Sequence, residues 1–264
     1  MTSPATRSQH RPGTGPSGGS SDELSGKNGL ITGSSRGIGR ATALAAAAMG
    51  ANVAVNYLSD KQSADEVVET AADHGGRAVA VQADVSRVDD IARLFQSAEA
   101  ELGPLDFVVW NAAAITFGPI ADADLTEFDR VVAMNLAGVF AGLQHAARRV
   151  RDGGRIITIS SGATKFSGAG SGLYSATKAA GEQLTVVLAK ELGSRGITVN
   201  SVSPGLTNTD GMVMPPEAVD QAVAQTPLGR LGEPADVADV IAYLLTNRAR
   251  WVTGQRVNAG GGLL

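Results

Sequence analysis

The chain has 264 residues, 43% hydrophobic and 18% charged, enough for one large globular domain or two small ones. A formal net charge of −4 provides no global basic field to hold nucleic acid. The absence of cysteine removes disulfides, thiolate zinc sites and a cysteine nucleophile, and His10, His74 and His145 are too scattered to suggest a metal constellation.

Residues 1–24 are rich in Ser, Gly, Pro and Thr and read as a disordered tail, leaving a single domain over 25–264. The tail lacks the apolar region of a secretory leader. No apolar run reaches the ~18 residues of a membrane span, so no membrane partner is expected and the expected address is the cytoplasm. Strands are predicted at 29–32, 52–57, 78–82, 105–110, 155–160, 197–202 and 255–258. Amphipathic helical stretches lie near 38–49, 61–74, 87–102, 124–150, 173–194 and 234–247. Val- and Ile-rich strands separated by helices argue for βαβ units. The fold class is therefore α/β, a single doubly wound (Rossmann-type) parallel sheet of about seven strands with helices on both faces. Ligands bind such sheets at the carboxyl ends of the strands, where every motif below falls.

The first strand runs into Thr32-Gly33-Ser34-Ser35-Arg36-Gly37-Ile38-Gly39 and then an alanine-rich helix. Glycines permit a tight turn and close approach of backbone to a pyrophosphate, and the helix N-terminus offers free N–H groups and a positive dipole end. Gly33, Ser35, Arg36, Gly37, Ile38 and Gly39 are thus candidate dinucleotide contacts. The same segment formally reads G-x-S-x-G, the elbow of an α/β-hydrolase with Ser35 as nucleophile. That class needs an acid and then a histidine later in the chain, and no histidine follows His145. Two more strand ends fit a dinucleotide: Asp84-Val85, where a carboxylate can reach an adenine amino group, and Asn111-Ala112-Ala113, where small residues admit a ribose.

Tyr174 and Lys178 stand four apart at the start of a helix, so they share a face. A cation beside the phenol favours phenolate and is expected to lower its pKa from ~10, towards the range useful for exchanging a proton with a substrate oxygen. The chain supplies a control: Tyr57 and Lys61 have the same spacing, but thirteen residues before Tyr57 stands Leu44, which can do no chemistry. Thirteen before Tyr174 stands Ser161, a hydroxyl at a strand end. Asn135, an amide within VVAMNLAGVF, can satisfy a helix carbonyl, anchor a water that relays protons to Lys178, or face solvent; spacing alone favours the last.

Taken together, TGSSRGIG (Thr32–Gly39), Asp84-Val85, NAA (Asn111–Ala113), MNLAG around Asn135, Ser161 with Tyr174 and Lys178, PGLTNT (Pro204–Thr209) and VNAGGG (Val257–Gly262) resemble the short-chain dehydrogenase/reductase family from about residue 26 onward. The resemblance implies hydride transfer between a nicotinamide cofactor and a small-molecule carbonyl/alcohol pair, with a tetrad of Asn135, Ser161, Tyr174 and Lys178. In that tetrad Ser161 orients the carbonyl and Tyr174 exchanges the proton. Lys178 binds the nicotinamide ribose and lowers the tyrosine pKa, while Asn135 supports a relay water. Pro204, Gly205, Thr207 and Thr209 would border the nicotinamide amide. Ala113 departs from the family's usual glycine and adds a methyl near the ribose.

The expected cofactor is NADP(H). Family NAD enzymes carry an acid where this chain has Tyr57, and a carboxylate there repels a 2′-phosphate. Arg36 offers a planar fork suited to phosphate, and Asn56 and Ser59 are expected to add neutral donors. Two other readings stand beside carbonyl reduction on small molecules. One is the 3-oxoacyl-carrier-protein reductase branch, with Arg148, Arg149, Arg151 and Arg195 as docking cations. The other is a non-catalytic cofactor-sensing relative, against which the filled tetrad counts. Residues 206–226 are expected to form a mobile lid, with Met212, Val213, Met214, Phe117 and Phe166 as apolar walls. The resemblance also implies a homotetramer or homodimer paired through the helices of 124–150 and 173–194.

Overall fold

The computed structural model describes residues 23–212 and 216–263. The tail expected over residues 1–24 falls outside the described residues as far as residue 22. At its end the boundary moves: Leu24 is 3% exposed within the core, and Glu23 lies 3.7 Å from Arg248, so the domain has begun by residue 23.

Seven parallel strands form one sheet in the order β3-β2-β1-β4-β5-β6-β7. They are β1 (Asn28–Ile31), β2 (Asn52–Tyr57), β3 (Ala78–Gln82), β4 (Phe107–Trp110), β5 (Arg155–Ile159), β6 (Thr198–Pro204) and β7 (Arg256–Ala259). β4 and β5 are buried at every position, as a parallel sheet covered on both faces requires. Helices α1 (Gly37–Ala48), α2 (Lys61–Ala72) and α8 (Pro234–Leu245) pack one face into a core with Ile31, Val53, Phe107 and Ile157. On the other face α3 (Val88–Leu102), α5 (Gly138–Arg149) and α6 (Gly172–Glu191) pack against Leu30, Val108, Trp110 and Ile156. Strand order reverses between β1 and β4, which opens the crevice where ligands of such sheets bind.

The helix expected over 124–150 is interrupted. It consists of α4 (Leu125–Val132), a π-helical turn (Ala133–Ala137) and α5. Asn135 causes the local change: its Oδ1 accepts from Ala114 N–H at 2.8 Å and its Nδ2 donates to Ala114 C=O at 2.8 Å. That pins the helix to the segment after β4, and a π turn absorbs the extra residue. The loop after β6 contains a helix that the lid reading did not anticipate, α7 (Pro216–Gln225). Val213 and Met214, two of the expected wall residues, lie outside the described residues.

Candidate active site

At the crevice the ends of β1 and β4 are tied together. Asn111 Nδ2 donates to the carbonyls of Thr32 (2.9 Å) and Gly33 (3.0 Å), while Thr32 Oγ1 accepts from the N–H groups of Asn111 (2.9 Å) and Ala112 (3.1 Å). The turn into α1 needs glycine twice over. Gly37 has φ +56°, and a Cβ on Gly39 would stand 2.4 Å from Gly33 O and 2.6 Å from Asn111 Nδ2. Arg36 precedes the helix in extended conformation without a side-chain cap, and the first turn carries no acid. A cradle of bare backbone with an uncapped, acid-free helix N-terminus fits the pyrophosphate of a dinucleotide. Thr209 packs beside Gly37, which brings the segment after β6 to the same corner. Pro204 is buried at the end of β6, Gly205 N–H donates to Ala259 C=O at 3.1 Å, and Thr207 Oγ1 donates to Gly205 C=O at 3.0 Å.

At the adenosine corner one expectation is corrected. Asn56 does not offer its amide to a ligand: it is 2% exposed, its Oδ1 accepts from Gly33 N–H (3.0 Å) and its Nδ2 donates to the carbonyls of Val81 and Ala83 (3.2 Å each). Its valences are spent bracing the glycine turn against β2 and β3. Tyr57 is buried at the end of β2, and Ser59 and Arg36 are exposed. Arg36 reaches the loop after β2, where its charge assists the two Ser63 hydrogen bonds that hold the Asp60 carboxyl below its ordinary pKa. Asp84 Oδ1 accepts from the N–H (2.9 Å) and hydroxyl (2.7 Å) of Ser86, shaping the turn after β3; Val85 is buried behind it, and Ala113 is exposed.

At the ends of β4, β5 and the start of α6, four polar side chains from distant segments converge. Tyr174, Lys178 and Asn135 are each at most 7% exposed. Ser161 caps a 3₁₀ turn (Gly162–Thr164), its Oγ accepting from Ala163 N–H at 3.2 Å. Lys178 Nζ donates to Ile159 C=O at 2.7 Å and sits 5.8 Å from the centre of the Tyr174 ring. Asn135 completes its bonding with Thr177 Oγ1 at 3.2 Å, and Thr177 in turn donates to Tyr174 C=O at 2.8 Å. The solvent-facing position favoured by spacing alone is thus wrong for Asn135: the amide ties the loop after β4 to α6. Leaving the paired groups of Ala114 unbonded in the interior would cost about 1–3 kcal/mol each.

The charge argument also needs correcting. Burial pushes the Tyr174 phenol above its ordinary value, and the neighbouring Ser161 hydroxyl offsets part of that rise. Burial lowers Lys178 itself to about 8. The phenol is therefore protonated at neutral pH, a donor poised for a carbonyl oxygen.

Sequence reasoning missed Glu182 and the two hydroxyls that donate to it beside Ser161, Ser160 and Thr164. A signal was present: Glu182 continues the series Tyr174, Lys178 at the same interval of four, so all three share a helix face. The arginines considered for carrier docking are largely committed to internal partners. Arg149 pairs with Glu99 and Arg151 with Asp106 at 3.7 Å, while Arg195 pairs with Asp152 at 2.7 Å and donates to the carbonyls of Ala147 and Val150. Among the described residues no helix is long and apolar enough to cross a membrane.

A tyrosine–lysine helix beside a dinucleotide cradle defines an oxidoreductase, and comparison with known proteins agrees. Residues 33–264 match the family model described as enoyl-(acyl carrier protein) reductase. The chain is 40% identical over 254 residues to a hydroxynaphthalene reductase-like protein of Metarhizium brunneum, covering 90% of this chain and 95% of the relative. Among solved structures it is similar to the promiscuous reductase LugOII, which catalyses keto-reduction at C1 during lugdunomycin biosynthesis (44% identity, TM-score 0.86, 92% and 99% of the two chains). It is also similar to the angucycline C-6 ketoreductase LanV with bound NADP (38% identity, TM-score 0.87, 92% and 97%). The chain belongs to the short-chain dehydrogenase/reductase family.

Proposed function

We propose that the chain is an NADP(H)-dependent ketoreductase whose substrates are fused-ring aromatic ketones. The observation that carries this reading is the buried Tyr174 phenol, with Lys178 on the same helix face and the exposed Phe117 ring beside it. Phe117 lies 6.0 Å from Tyr174, ring to ring, and is 67% exposed; Phe166, five residues after Ser161, is 64% exposed. An exposed aromatic ring beside a proton donor suits a flat, apolar substrate. The named relatives, a hydroxynaphthalene reductase-like protein and an angucycline ketoreductase, support the same substrate class.

The glycine cradle of Gly33, Gly37 and Gly39 would hold NADPH, which would supply the hydride. Ser161 holds the carbonyl oxygen and Tyr174 hands it a proton. Lys178, anchored on Ile159 C=O, presents the positive charge that the resulting phenolate needs, and Asn135 holds the loop after β4 against α6. A carrier-protein-linked substrate is the second reading, and the commitment of Arg149, Arg151 and Arg195 to internal partners counts against it.

Assay of a fused-ring aromatic ketone against an acyclic 3-oxoacyl thioester with NADPH, followed by reduced-nicotinamide absorbance, tests the substrate class. A preference of about two- to a hundredfold in kcat/KM for the ring system is expected, from one or two aromatic contacts of ~0.5–1.5 kcal/mol each. Phe117→Ala should raise KM for the ring substrate and leave the thioester unaffected. A preference for the thioester would overturn the proposal.

We also propose a closed homo-oligomer, a tetramer or dimer, paired through α5 and α6. Phe140 and Val187 expose apolar surface there, and Ala176 and Ala179 permit close approach. Gly181, on the same helix, is buried against Val139 and lies outside that surface. Light scattering at micromolar protein should give a multiple of the chain mass; a monomer would refute the pairing.

A further inference from the structure

Glu182 is a carboxylate that the reading of the site leaves unexplained. It is 3% exposed on α6, and burying a carboxylate is costly unless its oxygens are fully bonded. Here they are. Ser160 Oγ donates to Oε1 at 2.6 Å, Thr164 Oγ1 at 2.8 Å and Ser203 Oγ at 3.4 Å, while Arg256 Nε approaches Oε2 at 3.4 Å. The donors come from the end of β5, the 3₁₀ turn after it, β6 and β7.

Two of these partners bracket Ser161. Ser160 precedes it, and Thr164 follows by three residues and also lies 3.0 Å from the Ser161 carbonyl, so its single hydroxyl proton is shared between that carbonyl and Glu182. Ser161's own backbone is therefore fixed from both sides by a residue on the helix that carries Tyr174 and Lys178. Two helical turns separate Tyr174 from Glu182, about 12 Å of rigid helix. Lys178 on Ile159 C=O and the Thr158–Thr185 hydroxyl pair also tie β5 to α6, but of these ties it is Glu182's that reach the residues on either side of Ser161.

We propose that Glu182 is a positioning residue that sets the Ser161 hydroxyl in register with the Tyr174 phenol by clamping Ser160 and Thr164 to α6. The inference rests on the proposed catalytic reading of Ser161 and Tyr174. A carboxylate is suited to the task because it only accepts, so hydroxyls from several directions orient towards it without competition.

The test is a double-mutant cycle on kcat, with NADPH affinity measured by nicotinamide fluorescence as the control for folding. Glu182→Leu is expected to lower kcat about ten- to hundredfold, the scale of a small misplacement of a reacting group, with NADPH affinity unchanged. Glu182→Gln keeps an oxygen for both hydroxyls and should recover most of that loss. In a Ser161→Ala background, where there is no hydroxyl left to place, Glu182→Leu should cost less than about twofold. If Glu182→Leu fails to bind NADPH, the Ser160→Ala/Thr164→Val pair removes the clamp from the other side and takes its place in the cycle. The same fold-loss in both backgrounds would overturn the positioning role. Wild-type kcat for Ser161→Ala would instead overturn the catalytic reading beneath it.

Discussion

Tyr174→Phe is expected to lower turnover by about 10²–10⁴-fold, the range for losing a general acid. NADPH affinity should hardly move, because the phenylalanine ring keeps the packing of a residue only 7% exposed, and Lys178 stays anchored on Ile159 C=O. The structure sharpens the expectation. With the phenol raised by burial, the wild type holds that proton throughout the neutral range, so the rate of carbonyl reduction should fall only as pH rises through about 8 and Lys178 loses its charge. Steady-state rates of the two proteins, on a substrate whose chemical step is rate-limiting, check both points. A variant with wild-type turnover would show that another group delivers the proton.

Arg36→Ala should weaken NADPH binding about ten- to hundredfold, equivalent to one charge-assisted hydrogen bond of ~1.5–3 kcal/mol, and leave NADH nearly untouched. Withdrawing Asn56 from the phosphate site concentrates the discrimination on Arg36, with Ser59 as the remaining neutral donor. The guanidinium is exposed and lies in reach of the loop after β2, with no acid at Tyr57 to repel a 2′-phosphate. Tyr57→Asp should move preference towards NADH for the same reason. Titration of both nucleotides against wild type and variant decides the matter. Equal losses for NADPH and NADH would mean that Arg36 serves the glycine turn rather than the phosphate.

The order and placement of strands were legible because fully buried parallel strands read as short apolar runs, and β2 and β3 match their expected bounds. The break between α4 and α5 was not legible. Apolar periodicity runs through residues 124–150 without interruption, and the π turn coincides with long-range bonds from Asn135 to Ala114 that periodicity does not carry. Helix α7 was within reach, since Pro216 opens it and Glu217 lies in its first turn, but the lid reading obscured that signal. In the site, the residues that resemble the family motifs were found in one place because their segments all end at the same edge of the sheet. Asn56 and the tyrosine pKa were misjudged for one reason. Burial and hydrogen-bond partners decide whether a polar group is available, and spacing carries neither.

The sheet divides the protein into two cores that share few residues: α1, α2 and α8 on one face, α3, α5 and α6 on the other. The grip on the nucleotide is built on the first, and the helix that delivers the proton on the second. Substitutions that loosen one packing layer leave the opposite layer's side chains in place, so nucleotide preference and carbonyl preference can drift separately in evolution. A designer could exchange one without re-engineering the other, provided the ties between the ends of β4 and β1, Asn111 to Thr32 and Gly33, are kept.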